Sequence, residues 1–181
     1  VGIVTSGIVR HGTVHINDKL SIGPDKNGNY KDVTIESIHV RRKDCSYAFE
    51  GQMASLHLKE IQSKSELRRG MVIVDGTKCD TAKQTCYSFE AHIDVLLNCT
   101  LRENSQPIIH IENIRQSAHI LHLHSMDNTL KHGENGTAVF TFLHYPEFIR
   151  CGMKIIIRKS HGPIAIGRVT KILDSADKPL L

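Results

Sequence analysis

Three histidines, His119, His122 and His124, stand close together in the sequence, two of them as His122-x-His124. Successive side chains of an extended strand alternate between its faces, so His122 and His124 share one face and present half of a metal-ligand geometry. A structural zinc takes four protein ligands. His119 falls on the other parity unless a bulge intervenes, and no cysteine or carboxylate stands at a matching spacing, so surface and boundary histidines are expected and no metal is assigned. Cys45, Cys79, Cys86, Cys99 and Cys151 contain no CxxC. Neither a zinc knuckle nor a redox pair is written there, and reduced thiols are expected. Thr77-Lys78-Cys79-Asp80 has the TKxD form with which some GTPases read guanine, but no GxxxxGKS/T loop is present to hold phosphates, and a polar linker accounts for it better. GxSxG and HExxH are absent as well. The acids Glu36, Glu90, Glu112 and Glu134 need no role beyond solvent-facing strand or turn positions, so no catalysis is expected of this chain.

Binding is better represented than catalysis. Ile38-His39-Val40-Arg41-Arg42-Lys43 places three cations and a histidine at the end of a strand and in the loop that follows. Ile157-Arg158-Lys159-Ser160-His161-Gly162 repeats that arrangement later in the chain. Arg68 and Arg69 add a pair, and Lys31, Arg115, Lys131 and Lys171 are scattered. Loop-borne cations at strand ends are how rigid β-barrel modules present phosphate-binding groups. A solvated charged loop has the same composition, and phosphate binding needs several cations converging on one face. The net charge of +4 is compatible with a polyanionic partner without requiring one. Aromatic residues make up only 5% and Trp is absent, so stacking platforms for bases are not prominent and backbone-tracking contact is the expected mode.

The elements that must position these groups are strands. From Thr13 to Ile22 the even positions Val14, Ile16, Leu20 and Ile22 are apolar, broken only by Asp18, which predicts a half-buried strand or a bent strand pair. The preceding run spreads Val1, Ile3, Val4, Ile8 and Val9 over both faces, with Gly7 placed for a bend or bulge. Together they predict an opening hairpin. Asn27-Gly28 is a favoured turn pair. In the strand from Asp32 to Val40 the apolar phase changes from odd to even, predicting a bulge near Glu36-Ser37. Gly51–Leu58 and Gly70–Val74 follow. Residues 77–84 read as a linker. Tyr87, Phe89, Ala91, Ile93, Val95 and Leu97 then alternate with polar neighbours as one long strand, and strands are predicted at Pro107–Ile111, Ile114–His124 (with a second phase shift), Gly136–Leu143, Lys154–Arg158 and Ile164–Leu173. Helical periodicity is almost absent. The 181 residues, 40% hydrophobic, suffice for two small domains, so the class is all-β with two barrel-like domains. No run approaches the roughly 18 apolar residues of a membrane span.

These residues also carry a family resemblance. VGIVTSGIVRHGTVHINDKLSIGP resembles the start of the second domain of translational GTPases of the elongation factor Tu type, whose form is roughly GTVxTGxVxxGxxxxGDxxxxxP. The likeness continues at Ser37-Ile38-His39, Gly51-Gln52-Met53-Ala54 and Leu67-Arg68-Arg69-Gly70-Met71-Val72, and into the third domain at Phe89-Glu90-Ala91, Leu130-Lys131-His132-Gly133-Glu134, Ile157-Arg158 and Ile166-Gly167-Arg168-Val169-Thr170-Lys171-Ile172-Leu173. VGxVxSG, SIHxRR and GQxAS are most similar to the eukaryotic GTP-binding protein one and two subfamily.

The resemblance implies two antiparallel β-barrels in tandem: residues 1–76 like the second domain, 85–175 like the third, and a tail at 176–181. It implies a fragment whose GTPase domain, with its GTP and Mg, lies elsewhere in the parent. In the family the first barrel holds the aminoacyl end of tRNA and the second lies along the T stem. By position, His39 matches a histidine beside the terminal adenosine, Arg41 or Arg42 an adjoining basic residue, Gln52 an asparagine of the aminoacyl pocket, and Arg158 an arginine near the T stem. With Lys43 and Lys159 these form the expected RNA-binding set. Val1, Ser37 and the Gly162–Gly167 turn depart from the bacterial pattern, which implies altered or lost recognition of the aminoacyl end alongside retained backbone RNA or ribosome contact. The expected partners are tRNA or another RNA, the ribosome and the parent's own GTPase domain, for a cytoplasmic monomer with no membrane contact. A protein-interaction module that relays nucleotide state is the alternative.

Overall fold

The computed structural model describes residues 3–96, 99–125, 127–159 and 162–173. They form two compact units. The first takes the described residues up to Gly23, then Tyr30–Arg68 and Ile73–Cys79; the second takes Pro24–Asn29, Arg69–Val72 and the described residues from Asp80 onward. Both are built of antiparallel strands, so the chain is all-β as its alternating pattern requires.

The strands up to Val74 are β1 (Val4–Ile8), β2 (Thr13–His15), β3 (Lys19–Gly23), β4 (Lys31–Val40), β5 (Lys43–Cys45), β6 (Tyr47–Phe49), β7 (Met53–Leu58) and β8 (Val72–Val74). Their main sheet runs β1-β7-β4-β3-β8, with β5 on β4, while β2 and β6 form a separate ribbon. The Thr13–Ile22 pattern is a bent pair: it breaks at Asn17, which adopts φ 70°, where Asp18 takes the backbone N–H of His15 at 2.7 Å. The expected opening hairpin is not formed. β1 pairs with β7 and β2 with β6, because the chain crosses over at Arg10–Gly12 instead of folding back. Gly7 makes no bulge either; the β1–β7 register is continuous from Val4↔His57 to Ile8↔Met53. The bulge predicted in β4 is present, with Glu36 the extra residue between Ile35↔Leu58 and Ser37↔His57. It lets Val33 and Ile35 on one side of it and Ile38 on the other all reach the core.

Residues 77–84 are organised by their own side chains. Asp75 accepts from the Thr77 N–H and hydroxyl and pairs with Lys78 at 2.8 Å, which holds its carboxyl down at about 2. Asp80 caps the single turn α1 (Thr81–Gln84) by accepting from the Lys83 N–H. The TKxD groups are thus committed to local structure.

The later strands are β9 (Thr85–Cys86), β10 (Ser88–Val95), β11 (Leu101–Arg102), β12 (Ile108–Ile111), β13 (Ile114–His124), β14 (Thr129–Leu130), β15 (Asn135–Phe142), β16 (Glu147–Phe148), β17 (Lys154–Lys159) and β18 (Gly162–Leu173). Six of them close a barrel in the order β10-β15-β13-β12-β17-β18. Its interior mixes large and small: Phe89 stacks on Phe140 at 5.4 Å and tilts against Phe142 at 5.2 Å, while Ala91, Ala118, Ala138 and Ala165 make room for them. The phase shift predicted in β13 is a bulge at Leu121, between Ile120↔Phe140 and His122↔Val139. Gly167 lies where a Cβ would stand 2.1 Å from the His92 carbonyl oxygen, so only glycine lets β18 come this close to β10.

Candidate nucleic-acid interface

The first basic run becomes a tight turn. Val40 pairs with Lys43, leaving Arg41 and Arg42 as the two central residues of the β4–β5 hairpin. Both have positive φ, 52° and 65°, as a type I′ turn demands. Asn-Gly is the usual occupant of such a turn, and a side chain with a Cβ is disfavoured there by about 1–2 kcal/mol. Two exposed arginines are therefore held at the tip against local preference.

Beneath the turn lies a shallow cleft of about 510 Å³ lined by Val4, His39, Arg41, Arg42, Met53 and Ser55. The register explains the lining: His39 pairs with Ser55 and Val40 with Ala54 across β4–β7, and Ile8 pairs with Met53 across β1–β7. Val4 and Met53 are 56% and 66% exposed, an apolar lining open to solvent. His39 contacts the Asp44 carboxylate through Nε2 at 3.1 Å. The cleft thus joins apolar surface, an imidazole and two guanidinium groups, a set suited to a ligand with a flat apolar part and a negative charge.

The remaining expected residues fall in different places. Lys43 is exposed at the start of β5 and is not among the residues that line the cleft. Gln52 serves the β6–β7 turn, its amide oxygen accepting the Phe49 N–H at 3.0 Å, which accounts for its presence without a ligand. Arg158 and Lys159 belong to the second unit, at the exposed end of β17.

Arg158 there has company that sequence reasoning missed. His110 of β12 pairs with Arg115 of β13 on one side and Ile156 of β17 on the other. Burial pushes the His110 imidazole below its ordinary 6.5, and the positive charges of Arg158 and Arg115 push the same way. Its Nε2 is buried and has no hydrogen-bond partner among the described residues. Two arginines close enough to disfavour a third positive charge mark a place where an anion would be welcome. The signal was present in the alternation Ile109-His110-Ile111, which turns His110 outward, but the cross-strand register was needed to bring Arg115 to it.

Of the histidines singled out for metal chemistry, His122 and His124 are engaged with other groups, while the His119 Nδ1 is buried with no hydrogen-bond partner among the described residues. His122 meets Glu103 through Nδ1 at 3.2 Å and packs edge-on against His124 at 4.7 Å. Among the described residues no three His, Cys, Asp or Glu side chains gather as a metal site would require. Nor does any described helix have the length and apolarity to cross a membrane.

No protein-family model matches the chain. It is 35% identical over 178 residues to GTP-binding protein 1 of Xenopus laevis, an alignment covering 98% of this chain and 26% of the relative. It is 33% identical over 173 residues to GTP-binding protein 2 of Mus musculus and of Homo sapiens, covering 95% of this chain and 28% of each relative. The chain therefore spans about a quarter of the length of the curated relatives it matches, and over nearly all of its own length it is similar to one portion of proteins named for binding GTP.

Proposed function

We propose that this chain is an RNA-facing β module of a GTP-binding protein of the elongation factor Tu type. It contacts tRNA or another RNA and the ribosome, and couples to a GTPase domain of the parent, which would hold GTP and Mg in the cytoplasm. The module performs no catalysis itself. Its first unit takes the part of the second-domain barrel and its closed barrel that of the third. The observation that carries this reading is the Arg41-Arg42 turn, two non-glycine residues at positive φ above a cleft lined by His39. Strain of this kind persists where the surrounding structure enforces it, and it clusters at ligand sites. The Arg115–His110–Arg158 group supplies a second cationic face on the barrel.

Binding of tRNA by the GTP-loaded parent, titrated with salt, tests the reading. Affinity is expected to fall steeply as salt rises, and neutralising Arg41, Arg42 and Lys43 should reduce the log–log slope by up to about 3, close to one per lost phosphate contact. No binding at low salt would overturn it. One observation favours a protein partner instead: Val4, Ile8 and Met53 on β1 and β7 are 56%, 49% and 66% exposed. A module that relays nucleotide state through protein contacts would cover them and show no salt-dependent RNA binding.

A further inference from the structure

The ribbon of β2 and β6 buries Val14 and Ala48, which face each other across it, and so turns Thr13, His15, Tyr47 and Phe49 to its other side. Tyr47 and Phe49 stay 52% and 48% exposed. Their rings form a file with that of His15: 6.0 Å from His15 to Tyr47 at 39°, then 6.5 Å from Tyr47 to Phe49 at 35°. The His15 Nδ1 stands 3.7 Å from the Asp18 carboxylate, while the Tyr47 and Phe49 rings remain about half open to solvent. A low aromatic content overall conceals a local concentration of rings.

The charge that precedes the ribbon's second strand in the chain narrows the partner. Arg41, Arg42 and Lys43 lead through β5 directly into β6, so one unit presents cations and rings from consecutive elements. A partner that offers flat apolar faces and regularly spaced negative charge is a single-stranded nucleic acid, whose bases stack on aromatic side chains while its phosphates meet cations. We propose that the His15–Tyr47–Phe49 file is a stacking platform for unpaired bases of an RNA whose phosphates run towards the Arg41–Lys43 turn. The inference rests on the RNA-facing reading above and sharpens it, selecting unpaired over duplex RNA, because a duplex keeps its base faces stacked inside.

The 181-residue chain is titrated with a labelled single-stranded oligoadenylate of about twelve nucleotides and with an RNA duplex of the same length, by fluorescence anisotropy. Replacing Tyr47→Ala and Phe49→Ala together is expected to weaken single-strand binding at least about tenfold, since each stacked base contributes on the order of 1–3 kcal/mol, and to leave duplex binding unchanged. Tyr47→Phe with Phe49→Tyr keeps both rings and should retain affinity, which separates stacking from misfolding. The platform is overturned if the alanine variant binds the single strand like the unmodified chain, or loses both RNAs equally. Arg41→Ala with Arg42→Ala gives the other arm. Loss there with no effect of the ring variant overturns the platform and leaves the cleft reading standing. The converse overturns the cleft and the phosphate path towards the turn, and retains only the rings as the stacking site; an unmodified chain that binds neither RNA at low salt overturns both readings.

Discussion

His110 shows how a single residue records its surroundings. Burial and the flanking Arg115 and Arg158 hold its pKa below 6.5, so in the folded chain it stays neutral at pH values where an unfolded chain would already be protonated. The sign follows from linkage: the unfolded state binds more protons, and the stability this residue contributes is lost as the pH falls through 6.5 towards the lowered folded value. An anion seated between the two arginines would offset the repulsion and raise the pKa. NMR titration of the His110 ring is therefore expected to give a midpoint below 6.5 in the free protein and a higher one with RNA bound. A midpoint unmoved by bound RNA would remove this face from the interface. That His110 faces outward was legible in Ile109-His110-Ile111; that Arg115 and Arg158 converge on it was not, because the register of β12 with β13 and β17 is set by turns and bulges that alternation does not specify.

The β4–β5 hairpin is an element whose local preference and proposed use oppose each other. Exchanging Arg41-Arg42 for Asn-Gly would supply residues at home with positive φ. Stability should rise by about 1–2 kcal/mol, seen as a higher denaturant midpoint at unchanged m-value, while RNA affinity falls. A variant that gains stability and keeps full affinity would show that the turn is merely strained. At this scale the sequence was most informative where apolar parity changes: Glu36 in β4 and Leu121 in β13 both proved to be the extra residue of a bulge. It was least informative where strands are short and polar. Lys43-Asp44-Cys45 has no alternation to announce β5, and Tyr47-Ala48-Phe49 is too brief to announce β6. The missing opening hairpin has the same origin, since β1 finds its partner only in β7, 45–53 residues further along in the register from Ile8↔Met53 to Val4↔His57.

At the scale of the molecule, the two units differ in how their sheets end. The barrel of the second unit pairs every one of its six strands on both sides, whereas in the first unit β1 and β8 are the outer strands of the main sheet. Closure removes edges, and amides at edges open most easily. Hydrogen exchange should be slowest in β10, β13 and β15 and markedly faster in β1 and β8; equal protection would mean that pairing seen here as open is closed in solution. The division of the chain has a consequence for its biosynthesis. Pro24–Asn29 and Arg69–Val72 belong to the second unit although they precede nearly all of it. Gly28 packs towards Pro146 and Thr85, and the Met71 carbonyl accepts from the Asn113 amide at 2.9 Å. On a nascent chain these two segments leave the ribosome well before their partners are made. The first unit can begin to fold as it emerges, but these two segments of the second unit must wait, uncommitted, for residues synthesised later, so the last steps of the second unit's assembly fall to its later strands.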